Sequence, residues 1–182
     1  MSSEAEIRWD FSRVDHMFDS ADSAYERAAV RTLNKAIQKV RTGVKRAVAT
    51  EKQIRPQRLV HKRIKETKAT RGNYVAIVRI LTHPVPVILL SGARDTRRAA
   101  RRAGRGVIAG GQTYPKAFIA QGKSRTPQVF QRKGSERMPI EVVTIPIKDT
   151  AERSLRERIH EANEYVAEKL PAEVMRMLGG AR

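Results

Sequence analysis

The stretch of residues 114–147, YPKAFIAQGKSRTPQVFQRKGSERMPIEVVTIPI, carries three short apolar runs separated by polar, turn-forming residues. The runs cover residues 117–120, 128–132 and 140–147, and the last is rich in β-branched side chains. Runs of this length between connections that contain Gly, Ser and Pro are typical of strands joined by short turns. The stretch therefore predicts a small, mostly antiparallel β-sheet.

The tripeptide Gly122-Lys123-Ser124 within this stretch also matches the end of a phosphate-binding P-loop. Such a loop needs another glycine five residues earlier and a helix directly after it, so that backbone amides surround the phosphates. Residue 117 is alanine, and the residues after Ser124 form another strand-like run. We therefore interpret residues 121–127 as a hairpin connection and not as a nucleotide site.

Long helices are predicted on either side of the sheet. In residues 20–49 apolar side chains recur at steps of three and four, which produces a single apolar stripe. Residues 149–170 show the same spacing, and Pro171 is expected to start a last short turn. A shorter helix is predicted over residues 56–65, because its proline lies where a first helical turn tolerates one.

Two further segments complete the predicted secondary structure. Residues 73–81 are β-branched and predict a strand, whereas residues 87–90 follow two prolines that favour a sheet edge or a buried extended segment. The order of helix, short helix, strands and helix indicates an α+β fold. We expect the long N-terminal helix and the C-terminal helix to pack on the sheet in a single domain, residues 20–182.

The distribution of charge is uneven along the 182 residues, whose net charge is +18. Residues 1–26 carry seven acidic and two basic side chains, a net −5, whereas residues 27–137 carry 28 basic and four acidic ones, a net +24. Residues 138–182 are nearly balanced at −1. A region this basic predicts contact with a polyanion or with an acidic protein surface.

The most basic segment covers residues 93–111, ARDTRRAARRAGRGVIAGG, which we expect to be a loop or short helix that protrudes from the domain. Its arginines recur at steps of three and four, and guanidinium groups match phosphate oxygens without reading bases. The alternative is that they pair with acidic neighbours in an assembly. The candidate basic residues are Arg94, Arg97, Arg98, Arg101, Arg102 and Arg105.

Residues 1–19 predict an acidic N-terminal arm. Trp9 and Phe11 are aromatic side chains in an acidic segment, and they are candidates to anchor this arm on a neighbouring molecule. The alternative is a frayed terminus. The segment lacks the basic start and apolar run of a secretory signal, and the longest apolar run of the chain is far shorter than a membrane span. We expect no membrane contact and synthesis in a cytoplasm.

No catalytic, cofactor-binding or metal-binding residues are predicted. The chain has no cysteine, which excludes a thiolate metal site and a cysteine nucleophile. Residues 104–109, GRGVIA, match a dinucleotide-binding pattern but follow no strand, so we interpret them as a flexible glycine hinge. Glu157 and His160 supply half of a di-iron pattern without its second copy, which favours a solvated helix face. We expect no enzymatic activity.

Two regions together resemble a known family. One is the helical sequence AAVRTLNKAIQKVRTGVKR followed by IRPQRLVHKRIK, and the other is the opening stretch, where an AFI strand precedes V-x-x-R and P-I-x-V-V-x-I-P strands. These segments begin at Ala28, Ile54, Ala117, Val129 and Pro139. Over roughly residues 20–150 the chain is similar to the minor tail protein Z family of long-tailed phages and prophages.

The resemblance implies a structural component of the virion tail. It implies tail completion at the head-proximal end, assembly in the host cytoplasm, and a ring of sixfold symmetry around the channel. The implied partners are copies of the same chain and the tail terminator, tail tube or head–tail joint proteins. A separate hypothesis from the charge of the chain is that its basic face lines the channel and contacts genomic double-stranded DNA. The family carries no catalytic residues. The alternative from the residues alone is a sequence-neutral nucleic-acid-binding protein that uses the basic middle region.

Overall fold

The computed structural model describes residues 4–9, 23–55, 58–96, 106–122, 125–134, 136 and 138–179. Its helices within these residues are α1 Ser23–Glu51, α2 Arg58–His61 and α3 Lys148–Gly179. Its strands are β1 Glu4–Trp9, β2 Ile64–Thr67, β3 Ala76–Leu81, β4 Val85–Pro86, β5 Arg94–Asp95, β6 Gly106–Ala109, β7 Gln112–Pro115, β8 Phe118–Gln121, β9 Pro127–Arg132, β10 Ile140–Val142 and β11 Thr144–Ile145. Long helices with small antiparallel sheets confirm the predicted α+β class.

Helices α1 and α3 pack antiparallel along most of their length. At one end the Thr150 hydroxyl donates to a carboxylate oxygen of Glu51 over 2.6 Å. Towards the other end the Arg31 Nε lies 3.2 Å from a carboxylate oxygen of Glu173. The apolar stripe predicted for α1 is buried, and its fully covered members are Ala28, Leu33, Ala36, Ile37, Val40, Val44 and Val48. Burial of this stripe stabilises the fold through the hydrophobic effect.

Gly43 lies inside α1, where a glycine lowers helix propensity relative to alanine. The helix runs through this position without interruption. A Cβ built on Gly43 would lie 2.7 Å from Cδ of Arg158 on α3, so the glycine makes room for that side chain. The lower helix propensity of glycine is thus accepted at a close approach between the two helices.

The first sheet has the strand order β1–β3–β2, with both pairings antiparallel. Along β3, Ala76, Val78 and Ile80 are buried while the residues between them are partly exposed. This alternation is the period of two expected when one face of a sheet packs on a helix. The buried face of β3 therefore joins the core that α1 supplies.

Three smaller sheets form around the opening stretch: β11–β4, β5–β6–β7 and β10–β9–β8. The pairing of β8 with β9 places Gln121 opposite Pro127, and the Arg125 amide donates to the Gly122 carbonyl over 3.1 Å. The hairpin predicted for residues 121–127 is thereby confirmed in its described residues. Lys123 and Ser124 lie outside them.

The helix predicted over residues 56–65 is wrong in its second half. Helix α2 ends at His61, and β2 begins at Ile64, which pairs with Ile80 of β3. The four-residue spacing of Val60 and Ile64 fits a helix face, but a free strand edge beside β3 competes for the segment. Pairing satisfies its backbone groups and also buries Ile64.

The loop or short helix predicted over residues 93–111 is wrong at both described ends. β5 pairs with β6, and Gly110 and Gly111, with φ of 58° and 75°, connect β6 to β7. Two consecutive positive φ angles suit a tight hairpin turn. The hinge predicted for residues 104–109 is wrong over its described residues, because residues 106–109 form a strand with Val107 and Ala109 fully buried.

Two smaller boundaries also differ from the sequence. Residues 87–89, predicted to be extended, form a short 3₁₀ helix. The strand pairing is made instead by the two residues before them, Val85 and Pro86 of β4, with β11. Helix α3 continues through Pro171 to Gly179, although a proline cannot donate to the carbonyl one turn before it. Within the described part of the chain, no helix combines the length and apolarity needed to cross a membrane.

The two ends of α1 lie in different surroundings. Near its start, the Tyr74 hydroxyl donates to a carboxylate oxygen of Glu26 over 2.9 Å. Directly after its end, Arg55 donates its amide to the Leu89 carbonyl over 3.0 Å. The 29 residues of α1 span about 43 Å at 1.5 Å each. The first sheet thus begins near the start of α1, and the smaller sheets connect to its end.

Candidate functional site

Residues 97–105, the arginine-rich segment, lie outside the described residues, but the two residues that flank them are held together. The amide and the hydroxyl of Thr96 both donate to the Gly106 carbonyl, over 3.0 and 2.8 Å. β5 and β6 pair directly behind this contact. Nine residues therefore connect two points that are held together by hydrogen bonds.

Among the predicted basic residues, Arg94 lies in β5 opposite Ile108 and is exposed. The side chain of its neighbour Asp95 is directed to β8, where a carboxylate oxygen accepts from the Ile119 amide over 3.4 Å. Five predicted arginines lie outside the described residues: Arg97, Arg98, Arg101, Arg102 and Arg105. The structure thus fixes where the segment begins and ends relative to the small sheets.

Further basic side chains lie in or beside strands β8 and β9. Lys116, Arg125, Arg132 and Lys133 are exposed. Lys133 lies 3.2 Å from a carboxylate oxygen of Glu141, a pair that solvent weakens because both side chains are more than half exposed. These cations, together with the arginine-rich segment, are suited to contact phosphates or an acidic protein surface.

One face of the β10–β9–β8 sheet is apolar. Phe118 and Val142 both lie opposite Phe130, so the three share this face, and the two aromatic rings pack with centroids 6.0 Å apart. Ile140 lies two residues before Val142 and belongs to the same face. Val129, on the opposite face, is fully buried.

The predicted anchors of the N-terminal arm have different positions. Residues 4–9 form β1, and Trp9 pairs with Ala76 of the same chain. Phe11 lies outside the described residues. The docking of these aromatic residues on a neighbour stays a prediction. Residues 4–9 of the arm lie at the edge of the first sheet.

The remaining motif residues do not assemble into a catalytic group in the described part of the chain. Glu157 and His160 are exposed on α3, and His160 Nε2 lies 3.5 Å from a carboxylate oxygen of Glu164. No cluster of three or more metal-ligating side chains occurs among the described residues.

A half-buried arginine, Arg63, stabilises the turn between the first sheet and the smaller ones. The Arg63 guanidinium group donates to the His83 carbonyl. The Arg63 carbonyl in turn accepts from the Leu81 amide over 2.9 Å. Burial lowers the pKa of Arg63 from its ordinary value. The group binds backbone carbonyls, so its role is structural.

Sequence reasoning missed two features of these surfaces. Residues 4–9, EAEIRW, alternate polar and apolar residues, which is the period of a strand with one apolar face. Residues 140–142 were predicted to belong to a strand, but the pattern does not reveal that this strand lies at an exposed edge. Exposure depends on which neighbour pairs with β10, and the described sheet places only β9 beside it.

Comparison with known proteins supplies the family. The family model for prophage minor tail protein Z (GPZ) matches residues 17–179. The chain belongs to this family. The tail completion protein of Escherichia phage N15 is 28% identical over 152 residues, which cover 80% of this chain and 81% of that protein. No solved structure matches the chain.

Membership in the minor tail protein Z family makes the chain a component of a phage tail. The predicted resemblance is confirmed, and so is the virion tail as the site of the protein. The match covers the three helices and strands β2 to β11, and among the described elements it leaves out only β1, Glu4–Trp9.

Proposed function

We propose that this minor tail protein completes the tail at its head-proximal end. The observation that carries the proposal is the similarity to the N15 tail completion protein, which spans four fifths of both chains. The family match over residues 17–179 covers the α1–α3 pair and the small sheets together and not one isolated motif. The protein acts by binding, with no catalytic step.

The proposed arrangement is a hexameric ring around the tail channel. Its other contacts are with the tail terminator, tail tube or head–tail joint proteins. Two properties support a role in an assembly: one end of the molecule is strongly basic, and one sheet face there is apolar and partly exposed. A ring requires two different complementary surfaces on each copy, because each copy contacts its neighbours head to tail.

The arginine-rich segment is proposed to face DNA in the channel or an acidic surface of a neighbour. Support comes from its composition and from the closed base at Thr96 and Gly106, which holds the segment at one point of the domain. A loop fixed at its base can present several guanidinium groups to phosphates without reading base sequence.

The test is deletion of the gene from a phage or prophage that encodes it, followed by induction and electron microscopy. We expect heads and tails that fail to join, or joined particles that are not infectious, and a low titre. Complementation with the intact gene should restore both properties. Normal particles at normal titre without the gene would contradict the proposal.

A further inference from the structure

The apolar face of the β10–β9–β8 sheet is partly open to solvent. Val142 is 40% exposed and Ile140 is 37% exposed, and Met138, just before the strand, is 65% exposed. Single exposed apolar residues are common, but a contiguous set across the edge of a sheet is typical of an interaction site. We name the surface formed by Phe118, Phe130, Ile140 and Val142 the sheet face.

The rim of the sheet face is basic. Arg132 lies opposite Ile140, and Lys133 follows it at the end of β9. Arg125 lies in the turn between β8 and β9. Residues 93–139 contain twelve basic and two acidic side chains, so the field around the sheet face is positive. The surface therefore fits a partner that is apolar and acidic at once.

The chain itself contains a segment of this chemistry. Residues 10–22, DFSRVDHMFDSAD, contain four aspartates and one arginine. The same thirteen residues contain four large apolar side chains: Phe11, Val14, Met17 and Phe18. Apolar side chains among carboxylates complement an apolar face with a rim of arginine and lysine.

The segment cannot cover the sheet face of its own chain. It begins after Trp9, which pairs with Ala76, two residues from the Tyr74 that donates to Glu26 in the first turn of α1. It ends directly before Ser23, the first residue of α1, so both of its flanking residues lie near the start of that helix. A thirteen-residue segment that leaves and returns to one place extends at most about 23 Å, half of its extended length.

The sheet face lies near the other end of α1. Val143 donates its amide to the Val129 carbonyl over 2.8 Å, and Val87 donates to the Val143 carbonyl over 2.9 Å. The segment after Val87 then contacts the residues that follow α1, where Ile54 pairs with Leu90. Since α1 spans about 43 Å, the sheet face is out of reach for residues 10–22 of the same chain.

We propose that the sheet face binds residues 10–22 of a second copy of this chain. Residues 10–22 lead into the start of α1, whereas the sheet face lies near its end, so the contact is head to tail. Repetition of such a contact closes into a ring when the rotation permits. The inference deepens the proposed ring and rests on it. Its test uses purified protein, so that its failure is distinguishable from a failure of the tail function.

The first test places a charge in the sheet face. We expect Val142→Glu to weaken self-association of the full chain at least about tenfold, because a carboxylate would be buried without a partner in the contact. The measurement is sedimentation velocity over a concentration series. The matched control is Met175→Glu, which changes an apolar residue that is 71% exposed on α3 and should leave association unchanged.

Circular dichroism should show that both variants keep the wild-type helix content. Equal association of the wild type and Val142→Glu would overturn the proposal, and so would a wild-type chain that stays monomeric at every concentration. Neither result would touch the tail function, which the gene deletion tests separately.

The second test locates the contact. The chain has no cysteine, so single-cysteine variants are unambiguous. Co-expressed Phe18→Cys and Ile140→Cys chains, treated with a short bismaleimide, should form a covalent heterodimer that peptide mass spectrometry assigns to these two positions. A matched pair, Phe18→Cys with Met175→Cys, should give no heterodimer. Cross-linking of the control pair instead of the test pair would overturn the proposal.

Discussion

Gly106 begins β6, where the backbone of β7 lies against it. A Cβ built on this glycine would lie 2.3 Å from the Tyr114 carbonyl oxygen, a distance that requires the backbone to move. We therefore expect Gly106→Ala to lower the free energy of unfolding by about 1–3 kcal/mol, as overpacking does in a closed core. Urea denaturation followed by circular dichroism measures this change.

The control for this substitution is Gly134→Ala. Nothing lies within 4 Å of a Cβ built at Gly134, and the residue is exposed. Its stability should change by no more than about 0.5 kcal/mol. Equal stability of the two variants would contradict the close approach of β6 and β7.

Asn34 on α1 anchors the loop before β3. Its side-chain amide donates to the Ala69 carbonyl over 3.1 Å, and its side-chain oxygen accepts from the Ala69 amide over 3.0 Å. Ala69 is only 3% exposed, so Asn34→Ala removes both bonds from a place that water reaches poorly. We expect a loss of about 2 kcal/mol in the free energy of unfolding.

Gln38, one turn further along α1, is exposed and supplies the control variant Gln38→Ala. Asn34→Ala leaves the amide and the carbonyl of Ala69 without these side-chain partners, whereas Gln38→Ala tests only the effect of alanine on the helix. A loss of stability for Gln38→Ala as large as that for Asn34→Ala would show that helix propensity, and not the anchor, causes the effect.

The sequence predicts the role of a residue poorly where that role depends on contact with a segment far away along the chain. Gly106 follows an arginine and another glycine, which favours a hinge, and nothing local shows that Tyr114 lies against it. Phe118 and Phe130 are twelve residues apart and meet only because β8 and β9 pair. Such contacts follow from register, which single residues do not encode.

Glu51 connects the last turn of α1 to the first turn of α3. Its pKa lies below the ordinary value of 4.5, mainly because the Thr150 hydroxyl donates to the carboxylate, with Arg153 adding a further hydrogen bond and its charge. A carboxyl whose pKa is lowered in the folded state stabilises the protein above its unfolded pKa. That contribution is lost as the pH falls through the lower, folded value.

We expect the free energy of unfolding to fall less steeply with decreasing pH in Glu51→Gln than in the wild type. The wild type should lose its advantage over this variant as the pH falls below about 4.5, whereas at pH 7 the difference should be under about 1 kcal/mol, because the carboxylate is well exposed. Thermal unfolding at several pH values measures it. Glu157→Gln, an exposed carboxylate on α3, is the control. A constant difference between Glu51→Gln and wild type at all pH values would contradict the assignment.

At the element scale the sequence predicts what depends on periodicity. The stripe of α1 and the strands β8, β9 and β10 follow from regular spacing, and the structure confirms them. Strands that form by pairing with an open edge of another strand cannot be predicted from spacing. Ile64 continues a helical spacing but belongs to β2. Residues 4–9 alternate over only six residues, and their acidic side chains favour an arm rather than the strand that they form.

The arginine-rich segment supplies a prediction for the assembled particle. Reversing three of its charges, as Arg98→Glu with Arg101→Glu and Arg102→Glu, should leave the fold intact and lower phage titre by orders of magnitude. Phosphate or carboxylate partners that attract guanidinium groups repel glutamates at the same positions. The measurement is complementation of the gene deletion, with particle morphology scored by electron microscopy.

The control reverses three exposed lysines around β2: Lys62, Lys65 and Lys68. This variant has the same net charge as the arginine variant, so a difference in titre reports position and not total charge. Wild-type titre in the arginine variant would exclude a role for the segment in DNA or partner contact.

For the whole molecule, the charge of residues 27–137 raises the alternative of a free DNA-binding protein. A free binder that uses about six phosphate contacts should lose roughly a thousandfold in affinity between 50 and 200 mM salt, and it should bind tightly at the lower value. We expect the isolated chain to bind duplex DNA weakly even at 50 mM salt, because the proposed phosphate contacts form when several copies surround the channel. Tight, strongly salt-dependent binding by the monomer would favour the alternative.

The most direct test of the central claim is the position of the protein in the finished particle. A copy with a C-terminal tag, expressed in place of the wild type in phage that remain infectious, can be labelled with gold and imaged. The proposed function predicts one cluster of label at the head-proximal end of each tail. Label at the distal tip, label along the tail, or virions without the protein would contradict it.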